Sequence, residues 1–391
     1  MPAATVERRT LRKALDLVGA ATPKRSGLPI LGSAWLESDG TQLRMRTTDL
    51  DIEAEVTIPL TRAAEPFILC LPVRSLADYV KRVQGSIIQI APTADYGADI
   101  LSDAATVHLS GSEPGEFPLP ITARAGNDGW VYGDMDTQEF SDAFTSVAVA
   151  AAQRPDRPIL TAVDCRNGRL IASDGFRAAS QLCGFYADRS LPIPSAFGKL
   201  LARARMDGAA QARYQVVGSG KDARATYLEV SKGPLRLACR LVEGRYPVVE
   251  NFLPKTYNTA VQIELAGFIA AMEAGAAVTG REQHYAVAVT ALPDRCVMVA
   301  KGEDGQTFRT EIPAGLSGPP IAVALDGRIL TEMLRRFCGH WLTIGFSGVE
   351  TAARFSCDTD SLTCWQMPII YCDWVKQPHA DTSADADKVL A

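Results

Sequence analysis

The stretch Gly218-Ser219-Gly220-Lys221 carries the glycines and lysine of a phosphate-binding loop. That fingerprint also needs a glycine further upstream and a Ser or Thr after the lysine to hold magnesium. Here the upstream glycine is lacking and Asp222 follows the lysine. Asp49 with Asp51, and Asp358 with Asp360, are carboxylate pairs of the kind that hold metals for phosphoryl transfer. Each pair sits in a strand–turn setting, where solvated carboxylates are the ordinary outcome. The four histidines (His108, His284, His340, His379) are not at ligand spacing to one another. No glycine-flanked serine and no activated cysteine setting supports a nucleophilic triad. The expectation is a non-enzyme with no catalytic residue, no metal and no cofactor. A different chemistry is spelled by cations set off the apolar faces of three helical patterns: Arg74 with Lys81, Lys199 with Arg203, and Arg328 with Arg335. Rows of this kind suit a polyanion held through its backbone charge without sequence readout. They also describe an ordinary solvated helix face.

These residues sit in a chain of 391 residues, 47% hydrophobic and 22% charged, with a net charge of −5. That is a globular composition with enough apolar content for sizeable cores, and its length suggests two to three domains. The acidic balance argues against a generally sticky nucleic-acid binder but leaves room for a local basic surface. Nine scattered cysteines without a CxxC pair fit reduced, mostly buried thiols and a cytoplasmic location. No apolar run has bilayer-spanning length and no targeting signal is read, so no membrane partner is expected.

The positioning elements repeat. Pro29-Ile30-Leu31 recurs at 158–160, and Gly-Glu-Phe-Pro at 115–118 is answered by Gly-Arg-Tyr-Pro at 244–247, both 129 residues apart. Before the first recurrence, Leu11, Leu15 and Val18 keep helical spacing; before the second, Phe140, Phe144 and Val147 do. A third helical pattern, 264–278, precedes the strand-like alternation at 285–291. Turn signals follow at Asp39-Gly40, Asn167-Gly168 and Pro293-Asp294. Second helical patterns run over 72–83, 194–205 and 326–337. Each unit closes on an apolar–proline step: Phe117-Pro118, Tyr246-Pro247 and Met367-Pro368. The reading is an α+β chain of three similar units, 1–127, 128–256 and 257–373, each with two helices on antiparallel sheets. Three units in one orientation would put their helices along one side of a crescent. The tail, 374–391, is polar and low in aromatics, and is expected to be disordered.

Several segments resemble the beta subunit of bacterial DNA polymerase III, the sliding clamp. They are "TVERRTLRKALDLV", "LPILGSAWLESDGTQLRMRTTDLDIE", "LPVRSLADYVKRV", "EFPLP", "RPILTAVDCRNGRLIASDGFR", "LVEGRYPVVENFLPK" and "WQMPII". The resemblance spans about residues 4–370 and is strongest in the first two units. It implies a head-to-tail homodimer forming a six-domain ring around duplex DNA. Such a ring is a processivity factor without catalysis, held to DNA regardless of sequence. Its implied protein partners are the DNA polymerase III alpha subunit, the clamp loader and repair polymerases, bound through short peptide motifs. The alternative is a clamp-like protein scaffold for a non-replicative partner, without DNA tethering.

The resemblance also assigns residues. Arg25 and Arg74 match DNA-facing arginines, and Lys81, Lys199, Arg203 and Arg335 extend the basic set. Two basic residues expected at the start of the middle unit's second helix are Ser195 and Ala196 here. The peptide groove between the second and third units maps to Leu160, Ser173, Gly175, Phe176, Arg177, Ala178, Pro247, Phe252, Met367, Pro368 and Ile369. Phe176 replaces a usual histidine and Ala178 a usual leucine. Ring closure maps to Val107 against Ala277 and Val278. The chain runs 22 residues beyond Ile369, where the family usually ends within a residue or two. Tyr371 and Trp374 in this extension are candidates to cover or lengthen the groove, and a divergent or second clamp is the implied identity.

Overall fold

The computed structural model describes residues 3–370 apart from 24, 104, 155 and 207, together with 375 and 377. The chain opens with β1 (Ala4–Glu7), α1 (Arg8–Val18), β2 (Ser33–Ser38), β3 (Gln42–Thr48), β4 (Ile52–Pro59) and β5 (Phe67–Pro72). Then come α2 (Val73–Arg82), β6 (Ile87–Pro92), β7 (Ala98–Leu101), β8 (Thr106–Leu109), α3 (Ile121–Ala125), β9 (Trp130–Asp136) and α4 (Thr137–Val147). The middle holds β10 (Ala162–Arg166), β11 (Arg169–Ser173), β12 (Arg177–Leu182), β13 (Leu191–Pro194), α5 (Ser195–Ala204), β14 (Ala209–Val217), β15 (Arg224–Lys232) and β16 (Leu235–Arg240). It continues with β17 (Thr259–Glu264), α6 (Leu265–Thr279), β18 (Ala286–Ala291), β19 (Arg295–Lys301), β20 (Thr307–Ser317) and β21 (Ile321–Asp326). It ends with α7 (Gly327–Leu334), β22 (Trp341–Phe346), β23 (Ala353–Cys357) and β24 (Thr363–Gln366).

The sequence repeats become structural ones. Pro29 and Pro158 each start a short 3₁₀ turn, Pro29–Gly32 and Pro158–Thr161, that delivers the chain into β2 or β10. Proline suits the first position of a turn of helix, where its fixed φ fits and its missing N–H is not needed. Asn167 and Gly168 both have positive φ, and Arg166 pairs with Arg169, so this is a two-residue hairpin. The Asp39-Gly40 turn takes in Thr41 as well. Ser38 pairs with Leu43, and the Asp39 carboxylate accepts from the N–H groups of Thr41 and Gln42.

The contacts divide into two compact units, 1–141 with 184–243, and 142–183 with 244–391. In the first, one sheet runs β1-β6-β7-β8 and another runs β5-β2-β3-β4-β16-β15-β14-β9. The β4–β16 pairing joins the first sequence repeat to the second, with Glu55 opposite Arg236. A buried ion network crosses that seam. Glu53 accepts from Arg46 (3.2 Å) and Arg236 (3.2 Å), and also from the Ile121 N–H (3.1 Å). Burial pushes the Glu53 carboxyl up, against the pull of Arg46 and Arg236. α1 buries Leu11, Ala14, Leu15 and Val18, and packs on β4 and α2.

In the second unit the strand order is β10-β11-β12-β24-β23-β22-β17-β20-β19-β18-β21, antiparallel throughout. α6 and α7 pack together, and glycine lets them meet closely. A Cβ on Gly327 would lie 2.8 Å from the Met272 carbonyl oxygen. The helices expected over 72–83, 194–205, 264–278 and 326–337 are present as α2, α5, α6 and α7. The polar tail lies outside the described residues except Val375 and Gln377, as do Tyr371 and Trp374.

Candidate functional site

The first candidate surface is helical and lies within the first unit. α1 contacts both α2 and α5. Arg8 docks the start of α1 by donating from Nε to the Gly85 carbonyl (2.7 Å) and from Nη1 to Val80 (3.2 Å). With its apolar stripe buried, α1 turns Arg9, Arg12 and Lys13 to solvent. α2 exposes Arg74 and Lys81, and α5 exposes Lys199 and Arg203. Arg74 reaches the Pro23 carbonyl (3.2 Å), beside the loop that exposes Arg25. Among the described residues, Arg9, Arg12, Lys13, Arg25, Lys81, Lys199 and Arg203 make no ion pair, so their charge is available to an anion. Asp78 on the same helices is tied to Arg82 (2.9 Å).

Arg335, in the second unit, differs from that group. It follows α7 and forms an ion pair with Glu273 of α6 (2.6 Å), so part of its charge is spent inside the protein. Arg328 lies over the Tyr285 ring (4.9 Å). Ser195 and Ala196 open α5, and neither brings a cation. The triplet Arg9, Arg12 and Lys13 was visible in the sequence as a shared helix face; only the packing of α1 on α2 and α5 makes it part of a larger basic surface.

The second candidate surface collects the predicted groove positions, all in the second unit. The turn between β11 and β12 is held by its own side chains. Asp174 accepts from the N–H groups of Phe176 and Arg177 (both 2.9 Å), and Ser173 Oγ donates to the Arg177 carbonyl (2.8 Å). Gly175 sits in this turn with φ +94, a conformation that favours glycine. Tyr246, the residue before Pro247, places its hydroxyl oxygen to accept from the Ser173 N–H (3.1 Å). Met367 donates its N–H to the Phe176 carbonyl (2.8 Å), and Ile369 donates to Ala324 of β21 (2.8 Å). β12 pairs with β24, with Ala178 opposite Trp365. These bonds bring Ser173, Phe176, Arg177, Ala178 and Met367–Ile369 together. They do not include Phe252, which caps the turn Val249–Asn251.

Exposure sorts the set into framework and contact residues. Leu160, Ser173, Arg177, Ala178 and Pro368 are buried. Pro247, Met367 and Ile369 are half-buried. Phe176 (71% exposed) and Phe252 (79%) present large apolar rings to solvent, and Ile370 is exposed beside them in sequence. Arg177 is a positioning residue rather than a free cation. Its Nε meets Asp174 (3.0 Å) and its Nη1 meets Glu332 (2.8 Å). Glu332 and Tyr246 escaped sequence reasoning, because their roles depend on partners far away in the chain.

The third set concerns strand and helix edges. β8 ends its sheet, with Val107 half-buried on it. Next to Val107, His108 bonds Asp99 through Nδ1 (2.8 Å) and faces Asp95 through Nε2 (3.6 Å). α6 leaves Ala266, Ala270, Ala274 and Ala277 exposed, with Val278 half-buried.

The catalytic look-alikes dissolve. The 218–221 stretch connects antiparallel β14 and β15 and leads into no helix longer than the 3₁₀ turn Gly220–Asp222. Asp49 caps the β3–β4 turn, accepting from Asp51 and Ile52. Asp360 accepts from the Leu362 N–H (2.9 Å). Among the described residues no group of His, Cys, Asp and Glu has the geometry to hold a metal. No described helix is long and apolar enough to cross a membrane.

Comparison with known proteins follows this geometry. Residues 3–121 match the family model described as the DNA polymerase III beta subunit, N-terminal domain. Among curated proteins, the "Beta sliding clamp homolog GriR" of Streptomyces muensis is 24% identical over 88% of this chain and 90% of its own. The "Beta sliding clamp" of Staphylococcus aureus (strain MW2) is 22% identical over 85% and 89%. The crystal structure of the DNA polymerase sliding clamp from Pseudomonas aeruginosa superposes with a TM-score of 0.83 at 20% identity. It covers 94% of this chain and 99% of that one.

Proposed function

The chain is a divergent member of the bacterial DNA polymerase III beta-subunit family, and we propose on that premise that it acts as a sliding clamp. Two copies, each divided as 1–127, 128–256 and 257–373, close head to tail into a ring around duplex DNA in the cytoplasm. The ring is a tether, not a catalyst. The observation that carries this reading is the unpaired cation set on α1, α2 and α5, including Lys81, Lys199 and Arg203, with Arg25 and Arg74 alongside. Side chains of this kind address phosphate charge on any sequence, and the contact weakens as salt rises. Mobility along DNA requires just such contacts, since none of them recognises a base edge.

Ring closure uses the β8 edge at Val107 and the alanine face of α6 at Ala277 and Val278. A second chain that pairs with β8 also removes an unprotected sheet edge. The groove takes a short extended peptide from the polymerase alpha subunit, the clamp loader or repair polymerases. Phe176, Phe252, Met367 and Ile369 would seat its apolar anchor, Met367 as an adaptable wall. Leu160, Ser173, Arg177, Ala178 and Pro368 shape the site from beneath.

A second reading, a protein scaffold without DNA tethering, is favoured by one observation: Ser195 and Ala196 open α5 where the resemblance places two cations. Electron microscopy of the purified protein, together with retention on circular duplex DNA at rising salt, separates the two. A six-lobed ring retained on closed circles and shed on linearisation supports the clamp. A ring with no DNA retention at low salt, even when a clamp loader is supplied, supports the scaffold. Isolated three-lobed particles at micromolar concentration with no DNA retention would refute ring closure through β8 and α6.

A further inference from the structure

β21 is the last strand of its sheet, and its outer edge should therefore offer unpaired backbone groups to another chain. Instead the edge is occupied from within. Gln366 donates from Nε2 to the Asp326 carbonyl (3.1 Å), and Ile369 donates its N–H to Ala324 (2.8 Å). Further along, Gln377 meets Ala322 twice. Its Nε2 donates to the Ala322 carbonyl (2.7 Å), and its Oε1 accepts from the Ala322 N–H (3.1 Å).

This double contact copies a backbone pairing. A primary amide carries one acceptor and a donor on adjacent atoms, as a peptide unit presents to a neighbouring strand. Its targets lie at alternate residues of β21, 326, 324 and 322, the spacing at which one edge of a strand faces outward. The order of contacts is antiparallel: Gln366, Ile369 and Gln377 meet Asp326, Ala324 and Ala322 in turn. Ala322 is fully buried although it belongs to an end strand. Gln377 lies in the segment beyond Ile369, the part of the chain that the sequence reading left without a role.

We propose that Gln377 is the latch of a C-terminal strap that closes the outer edge of β21. The same strap carries Met367, Pro368 and Ile369, one wall of the candidate groove, between its first and last anchor points. The strap thus has two consequences. It blocks strand addition on β21 by a second chain or an extended peptide. It also holds the groove wall at the far end from the Met367–Phe176 bond, and this second consequence alone rests on the groove reading. A latch in the same chain holds a high effective concentration at its site, so an outside strand must displace it rather than simply bind.

The test is hydrogen–deuterium exchange by mass spectrometry on the full chain, comparing wild type, Gln377→Ala and a chain ending at Ile370. Peptides covering Ile321–Asp326 and Met367–Ile370 are followed, with β18 as the internal reference. Loss of two neutral hydrogen bonds predicts roughly tenfold faster exchange at Ala322 in both variants, with β18 unchanged. Ile369, one contact upstream, is expected to lose protection with it. Unchanged exchange at Ala322 in Gln377→Ala would overturn the latch, whatever the truncated chain does. Faster exchange at Ala322 with full protection at Ile369 would overturn its reach into the groove wall. Neither outcome depends on DNA or peptide binding.

Discussion

Replacing Arg177 with alanine removes the side chain that ties the β11–β12 turn to α7. The guanidinium is 5% exposed and bonds Asp174 at 3.0 Å and Glu332 at 2.8 Å. A hydrogen bond to a charged group contributes about 1.5–3 kcal/mol. The two partners differ in solvent access, so they do not contribute equally. Glu332 is 44% exposed, and its half of the network is discounted to roughly 0.5–1 kcal/mol. Asp174 is 22% exposed and retains about 1.5–2 kcal/mol. The expected loss is therefore about 2–3 kcal/mol. For a cooperative unit of this size that lowers the midpoint of thermal unfolding by roughly 5–10 °C. Differential scanning calorimetry reads the shift. Arg177→Lys should fall between the two proteins, because an ammonium keeps the charge but not the fork that meets two carboxylates. A fall below about 2 °C in Arg177→Ala would mean that the freed carboxylates recover their energy from water, and the positioning role would be refuted.

Other outcomes follow from the same geometry. Glu53→Ala leaves Arg46 buried without its carboxylate, so urea unfolding should show a loss of about 3–5 kcal/mol; a loss near zero would show that the seam between β4 and β16 does not need the charge. His108 has its pKa raised, first by its bond to Asp99, with Asp95 adding to it, so its titration followed by NMR should lie above the ordinary value. A raised folded-state pKa means that its contribution is complete below the unfolded value and disappears as pH rises through the folded one; Asp99→Asn should move the titration back down. Among the described cysteines Cys338 alone is exposed, while burial pushes Cys70 and Cys296 up to about 12 and Cys357 to about 11. Brief alkylation of the native protein, mapped by mass spectrometry, should therefore mark Cys338 and spare the other seven until unfolding; early labelling of Cys70 or Cys296 would contradict that burial.

Much of the element order was legible because it follows from local periodicity. Leu11, Leu15 and Val18 can share one side of a structure only in a helix, and Asn167-Gly168 can close a two-residue hairpin because both positions tolerate positive φ. The recurrence of Pro-Ile-Leu announced a repeated unit, and the repeated 3₁₀ turn with its following strand is that unit's local form. The Asp39-Gly40 turn was read one residue too short, since the Asp39 carboxylate binds Thr41 and Gln42 and draws Thr41 into the loop. Arg335 looked like a free cation, but Glu273 on the neighbouring helix claims it.

The site residues mark the limit more sharply. Composition and pattern alone established a three-fold repeated α+β chain, the apolar faces of its helices, the cations opposite those faces and the lack of a catalytic motif. These are matters of spacing along one chain, and spacing is fully present in the sequence. Only the tertiary structure decided which polar groups are spent internally and which remain for a partner. Arg177 is buried on a glutamate 155 residues away, and Gln377 closes a strand edge 55 residues back. β4 finds β16 across the first two repeats. Such pairings depend on loop closure and on competition between many compatible strands and charges, which no local window of residues can resolve.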